Sequence, residues 1–244
     1  MNRMHKENFK IKKDFLLLEN NKSSVIFSTA EDERSFNRNT DEGIDAINSI
    51  KEDFNVDKVI YLNQIHSDIV LNYNDEIDFI ENEGDGIITN KRNIAIGVFT
   101  ADCVPVIIVN EVDGVIGAVH SGWKGTFNSI TKKALQRMVD LYSVNHKNTK
   151  IYIGAHIRKC CYEVSEELKE KFIKEKNIKE DILFDGRNLS LKECIIKDVI
   201  DSGILEENIY DFDSCTYCED KVKLHSYRKS NGSYGRLFSF VLLK

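Results

Sequence analysis

Apolar positions along this chain recur with two periods, and their order outlines the elements. From Asp41 to Phe54, residues Ile44, Ile47, Ile50 and Phe54 repeat near helical spacing and predict an amphipathic helix. Residues 59–62 read as a short strand, and the turn Gly84-Asp85-Gly86 leads into another at 87–88. The centre is the most regular stretch, with apolar runs at 94–99, 104–109 and 115–120 that predict three strands. Asn, Asp and Gly within 110–114 mark a turn, so the last two strands are expected to form an antiparallel hairpin. A helix follows over 129–142, with Ile130, Ala134, Leu135, Met138, Val139 and Tyr142 on one face and its start abutting 122–126. Residues 151–154 read as a strand and 165–176 as a helix with acids in its first turn. Ser190 to Glu193 reads as a capping box opening a further helix, with Gly203 suited to its end. The tail 224–243 is expected to hold strand-like pieces around a turn at 229–235.

The hairpin permits a geometric expectation. A loop of Glu111-Val112, or of residues 110–113, sets Cys103 opposite His120, with Cβ atoms roughly 4.5–5.5 Å apart on one face. A register slipped by one residue would send them to opposite faces.

Length and composition narrow the class. A chain of 244 residues suits one α/β domain, here 1–244, and is long enough to bury a large core. A net charge of −6, with lysines interleaved among acids, gives no footprint for nucleic acid or an anionic membrane. The longest purely apolar runs, five or six residues, fall far short of the roughly 20 that span a bilayer. Only residues 15–18 follow the basic start, too few for a signal peptide, so a cytoplasmic protein is expected. Its six cysteines are then expected to be reduced thiols.

Chemistry concentrates in two segments, Thr100-Ala-Asp-Cys-Val-Pro105 and Ala118-Val-His-Ser-Gly-Trp-Lys-Gly125, which hold the only proline and the only tryptophan. Cys103, His120 and the upstream His66 offer one thiol and two imidazoles. That set suits a three-ligand zinc site with an open position. It equally suits a Cys103 nucleophile with His120 as base. The bland readings are a buried core cysteine and a strand-end histidine bonded to backbone. Asp102 alternates to the other face and is not expected to orient the pair. Glycines and Lys124 beside a helix start can hold an anion; Arg228 and Arg236 flank a turn where surface pairing is the default reading and phosphate or carboxylate binding the alternative. Asp85 is either a turn residue or an acid behind the site. His156 is expected in an exposed loop, and His5, His146 and His225 at the surface. Cys215-Thr-Tyr-Cys218 precedes no helix start and has no second C-x-x-C, so ordinary packing is expected. The adjacent Cys160 and Cys161 are not expected to chelate easily, and at least one is read as structural.

Together the motifs resemble the YfiH/laccase-domain family, whose members are described as polyphenol oxidases, purine nucleoside phosphorylases or peptidoglycan-editing factors. The matching pieces run in family order from about residue 59: Gln64-Ile-His66, Gly84-Asp-Gly-Ile-Ile-Thr89, Thr100-Ala-Asp-Cys-Val-Pro-Val106, Val119-His-Ser-Gly-Trp-Lys-Gly125, Cys160-Cys-Tyr-Glu-Val164, Cys215-Thr216, Ser226-Tyr-Arg228 and Gly235-Arg236. The resemblance implies an α/β fold of α+β type, with mixed sheets flanked by helices. That fold is similar to the cytotoxic necrotizing factor deamidases, whose Cys/His pair matches Cys103 and His120. The resemblance also implies zinc, or copper, on His66, Cys103 and His120. It implies phosphorolysis of adenosine, inosine and methylthioadenosine, with some adenosine deamination. Nucleoside and phosphate are then the expected partners; the chemistry of the side chains, rather than the resemblance, makes Lys124 and Arg228 the expected substrate-binding residues. Three other activities stay open: a cysteine amidohydrolase acting on cell-wall precursors, a copper-dependent phenol oxidase, and a non-catalytic zinc protein. Six scattered histidines are too few for a multicopper centre. Two departures stand out. Residues 28–31 lack the family's Arg and glycines, and Ala155-His156 replaces its usual Pro-Cys.

Overall fold

The computed structural model describes residues 1–244 apart from Ile77, Ser233 and Tyr234. The chain opens with β1 (Asn2–Met4), β2 (Lys10–Lys12), β3 (Phe15–Glu19) and β4 (Ser23–Ser28), followed by helix α1 (Asp41–Phe54). Next come β5 (Lys58–Ile60), β6 (Val70–Asn72), β7 (Gly86–Thr89), β8 (Ile94–Thr100), β9 (Val104–Asn110) and β10 (Val115–Ser121). Helices α2 (Trp123–Phe127) and α3 (Ile130–Tyr142) precede β11 (Lys150–Ile153), α4 (Glu166–Lys176) and α5 (Glu180–Leu183). The small ribbon β12 (Phe184–Asp185) and β13 (Asn188–Leu189), α6 (Leu191–Asp201), β14 (Ile209–Phe212) and β15 (Leu237–Leu243) complete the chain.

Two mixed sheets result, one of seven strands in the order β1-β14-β11-β9-β10-β7-β6 and one of six in the order β2-β3-β4-β15-β8-β5. The expected α+β class, with mixed sheets flanked by helices, is the one observed. Strand alternation explains the layering. In β9, Val104, Val106 and Ile108 face helices α3, α4 and α6, while Ile107 and Val109 face the other sheet. In β8, Ile96 and Val98 meet that same inter-sheet core, while Ala95 and Phe99 face α1. The central strands are buried on both faces and so read as continuous apolar runs rather than as alternation. Pro105 is tolerated there because it is the second residue of β9, next to the strand's start.

Several expectations shift in detail. In α1 the buried residues are Gly43, Ala46, Ile47 and Ile50, whereas Ile44 is exposed. The helix expected over 129–142 forms as α3, with Ser129 at its N-cap rather than inside it. Ser129 takes a left-handed conformation (φ 58°) and separates α2 from α3. Ser190 stands at the N-cap of α6, but its side chain makes no capping bond, so no capping box forms. Of the tail, 237–243 is a strand, and residues 233 and 234 of the expected turn lie outside the described residues.

The hairpin forms with a different register. Its loop is 111–114, so Asn110 pairs with Val115 and His120 pairs with Pro105, not with Cys103. The turn chemistry selects this. The Asn110 side chain accepts from the Asp113 amide (2.8 Å) and donates to its carboxylate (2.9 Å), and Gly114 takes φ +68°. The shift of two keeps every side chain on its expected face. It moves Cys103 beyond the strand, into the bend between β8 and β9. Gly114→Ala is expected to cost about 1–2 kcal/mol, because its Cβ would make only an ordinary contact with the Arg92 guanidinium (4.0 Å) and backbone strain is the main change. Urea unfolding should show a lower midpoint at unchanged slope.

Candidate metal centre

One buried carboxylate organises the site. Asp85, just before β7, is fully buried. It accepts from the backbone amides of Ile65 (3.3 Å), His66 (3.1 Å) and Ser67 (2.5 Å), and from the Ser67 hydroxyl (2.6 Å). These bonds hold the loop after β5 in a shape that places His66 in the left-handed region (φ 57°). Gln64 fixes the same loop to the end of β8. Its amide donates to the Phe99 carbonyl (2.9 Å) and accepts from the Phe99 amide (2.7 Å). Asp85 also accepts from His120 Nδ1 at 2.6 Å. That bond occupies Nδ1 and leaves Nε2 to meet the Cys103 thiol.

His66, Cys103 and His120 come together although the ladder does not pair them. One ligand atom of each lies within 4.8 Å of the others. Cys103 Sγ stands 4.0 Å from His66 Nδ1, and the two imidazole rings meet edge to face at 4.8 Å between centroids. Gly122 closes one side. A Cβ there would lie 2.8 Å from His66 Nδ1 and 3.1 Å from Cys103 Sγ, so only glycine leaves the donors room. One thiol and two imidazoles, with a carboxylate behind one imidazole, are a donor set suited to zinc. His66 is exposed and His120 buried, so the cluster opens to one side.

The same contacts make a charged pair. Burial pushes the Cys103 thiol up, but His120 and His66 outweigh it and bring it down to about 6. Burial lowers His120, but the Cys103 thiolate and Asp85 outweigh that and raise it to about 9. Asp85 is held below the usual carboxylate range, since its bonds from His120 and Ser67 exceed the cost of burial. Asp102 sits beside the pair with a strained backbone (φ 102°). Its carboxylate accepts from Thr216 Oγ1 (2.6 Å) and the Arg228 amide (2.7 Å). It orients the bend, not the imidazole, and does so from outside any strand, so the alternation that suggested this does not apply at Asp102.

The cluster lies at a cleft with two adjoining lobes, of about 700 and 280 Å3. Both are lined by His66, Asp102, Cys103, Trp123, Ile157 and Tyr162. Lys124 lines the smaller lobe, while Arg38, Arg228 and Arg236 line the larger. The Arg228 guanidinium also donates to the Glu163 carbonyl (3.2 Å) and lies over the Tyr162 ring. Sequence reading missed Arg38 and Tyr162. Arg38 sits in an aperiodic loop with no motif to mark it, whereas Tyr162 was inside a matched motif. The divergent residues 28–31 line neither lobe, while Asn37, Arg38 and Asn39 do.

Other histidines stand apart. His156 is buried, not in an exposed loop, and its Nδ1 donates to the Gly154 carbonyl (2.8 Å). Burial and nearby Arg158 hold it neutral, at about 3. His5 is exposed, as expected; His146 and His225 are half-buried, bonded to the carbonyls of Ser202 and Arg34. Four cysteines, Cys160, Cys161, Cys215 and Cys218, also converge, against the expectation of ordinary packing.

In metal-free protein, the alkylation rate of Cys103 should fall only as pH drops through about 6, because the reactive thiolate persists above it. His120→Ala should move that midpoint up toward about 8.5. Peptide mapping after iodoacetamide treatment separates Cys103 from the other thiols. A midpoint unmoved by the substitution would contradict the pairing.

Comparison with known proteins agrees with this architecture. Residues 25–244 match the family described as multi-copper polyphenol oxidoreductase laccase. A purine nucleoside phosphorylase of Clostridium acetobutylicum is 41% identical over 233 residues, covering 96% of this chain and 97% of that protein. Another, of Campylobacter jejuni, is 33% identical over 236 residues, covering 96% and 98%. The fold is similar to that of the solved Bacillus licheniformis protein YfiH, with a TM-score of 0.88, 24% identity, and 97% and 99% of the chains covered. Among the described residues, no helix is long and apolar enough to cross a membrane. The chain belongs to the family described as multi-copper polyphenol oxidoreductase laccase and is related over nearly its whole length to these purine nucleoside phosphorylases.

Proposed function

We propose that this protein is a zinc-dependent purine nucleoside phosphorylase acting on adenosine, inosine and methylthioadenosine, with adenosine deamination as a side activity. The observation that carries the reading is one cleft in which His66, Cys103 and His120 face both cationic and aromatic groups. The name of the Clostridium relative, alike over nearly the full length of both chains, supports the reaction class.

Each residue then has a task. His66, Cys103 and His120 would hold zinc, with Cys103 as thiolate. When bound, zinc supplies Lewis-acid polarisation of a substrate oxygen. Asp85 keeps Nδ1–H of His120 occupied, so that Nε2 stays turned to the ligand side. Trp123, about two-fifths exposed, and Tyr162 offer aromatic faces to a purine. Burial pushes the Tyr162 hydroxyl up to about 12, so it stays protonated. Phosphate meets Arg228 and Lys124 as the expected cations, with Arg38 and Arg236 on the same lobe as Arg228. The other four histidines lie away from this cluster, which leaves a single Cys/His2 site and makes zinc a better fit than a multicopper centre.

A second reading has one observation of its own. Cys103, His120 and Asp85 also form the relay of a cysteine hydrolase, with a thiolate at about 6 and an imidazole oriented by a buried acid. Metal removal separates the two. Phosphate-dependent release of hypoxanthine from inosine should be lost on chelation and restored by zinc. It should fall by at least about 100-fold in Cys103→Ser. Release that survives chelation, or that needs no phosphate, would contradict the phosphorylase reading.

A further inference from the structure

We propose that Cys160, Cys161, Cys215 and Cys218 form a second, closed metal site that binds Zn2+ through four thiolates and staples one wall of the cleft. The four sulfurs lie within 4.8 Å of one another although they come from two segments more than 50 residues apart. Cys160 and Cys218 sulfurs are 3.7 Å apart. Four Zn–S bonds of about 2.3 Å in a tetrahedron place their sulfurs about 3.8 Å apart, so the cluster needs only a small contraction. Four sulfurs and no oxygen or nitrogen donor select a soft ion in a structural rather than an open, catalytic site.

The backbone supplies an independent sign. Cys215 Sγ accepts from the Arg158 amide at 3.5 Å, and the amides of Tyr217 and Cys218 also point at it. Amides wrapped around the first sulfur of a C-x-x-C turn are the outer-shell support that a ligating thiolate receives. Cys160 and Cys218 are exposed, which gives an ion a path in, while Cys215 is buried and anchors the turn. Each thiol that ligates gives its proton to solvent, so binding weakens as pH falls. No oxidant is required, and the cysteines stay at the thiol level.

The placement gives the site a purpose. The 157–162 segment carries Ile157 and Tyr162 into the cleft. The 215–218 turn carries Thr216, whose hydroxyl donates to Asp102 beside Cys103. An ion held by both segments ties the aromatic wall to the bend that presents Cys103. Sequence reading passed over this because C-x-x-C has its partner half-site in an adjacent Cys-Cys pair, 54 residues upstream of Cys215.

The test is metal counting in protein purified under reducing conditions, with Cys103→Ser used to remove the thiolate of the first centre. That variant should retain about one equivalent of zinc, lost when Cys218→Ser or Cys160→Ser is added. Cobalt added to metal-stripped Cys103→Ser protein, with the cluster intact, should give the intense sulfur-to-cobalt charge-transfer absorption of a tetrathiolate. This second readout does not depend on any cluster variant folding. Metal content unchanged by Cys218→Ser, a cobalt complex without thiolate absorption, or disulfide-linked, metal-free cysteines by mass spectrometry would each overturn the proposal.

Discussion

Asp85 is the constraint on which the rest of the site depends. A carboxylate with no exposed surface is costly to bury unless its oxygens are bonded. Here three successive amides, a hydroxyl and an imidazole all donate to it. The loop carrying His66 and the strand end carrying His120 belong to different parts of the chain. They share one acceptor, so neither can shift without leaving a buried charge unsatisfied. The distance between the two imidazoles is therefore set by a group that holds both histidines without being one of the three donors.

Cys103 reaches the same point by a different route. It lies in a bend whose preceding residue, Asp102, holds an unfavourable backbone conformation. Bonds from Thr216 and the Arg228 amide maintain it, which ties the thiol to two segments near the C-terminus. Non-glycine residues with positive φ cost energy and persist only where surroundings over-determine them. Both His66 and Asp102 are in that position. The two-sheet core supplies the rigidity, because the strands that end at the site are buried on both faces.

Much of this was legible in the sequence. The three central strands and α1 follow directly from apolar runs and helical spacing. The Cys103/His120 proximity was expected for an incorrect reason. The ladder does not pair them, and turn chemistry at Asn110 and Gly114 moved the register by two. Parity kept His120 on its expected face, and the bend carried Cys103 back. The role of Asp85 was only one of two options, because a Gly-Asp-Gly turn does not reveal which amides it will meet. The four-cysteine cluster was not legible, since its halves meet through the bridge between His156 and Cys215. Arg38 was hidden for a related reason: loop residues carry no periodicity, and only tertiary packing brings them to a cleft.

The central claim is that Asp85 preorganises a metal centre from outside its ligand set. The most direct measurement is the zinc affinity of Asp85→Asn, by competition with a chromogenic chelator, with circular dichroism as the check on fold. The account predicts affinity lower by about 10–100-fold with the fold retained, because the amide can still occupy the space but no longer carries the charge that holds His120. An Asp85→Asn protein that binds zinc as tightly as the parent would contradict it.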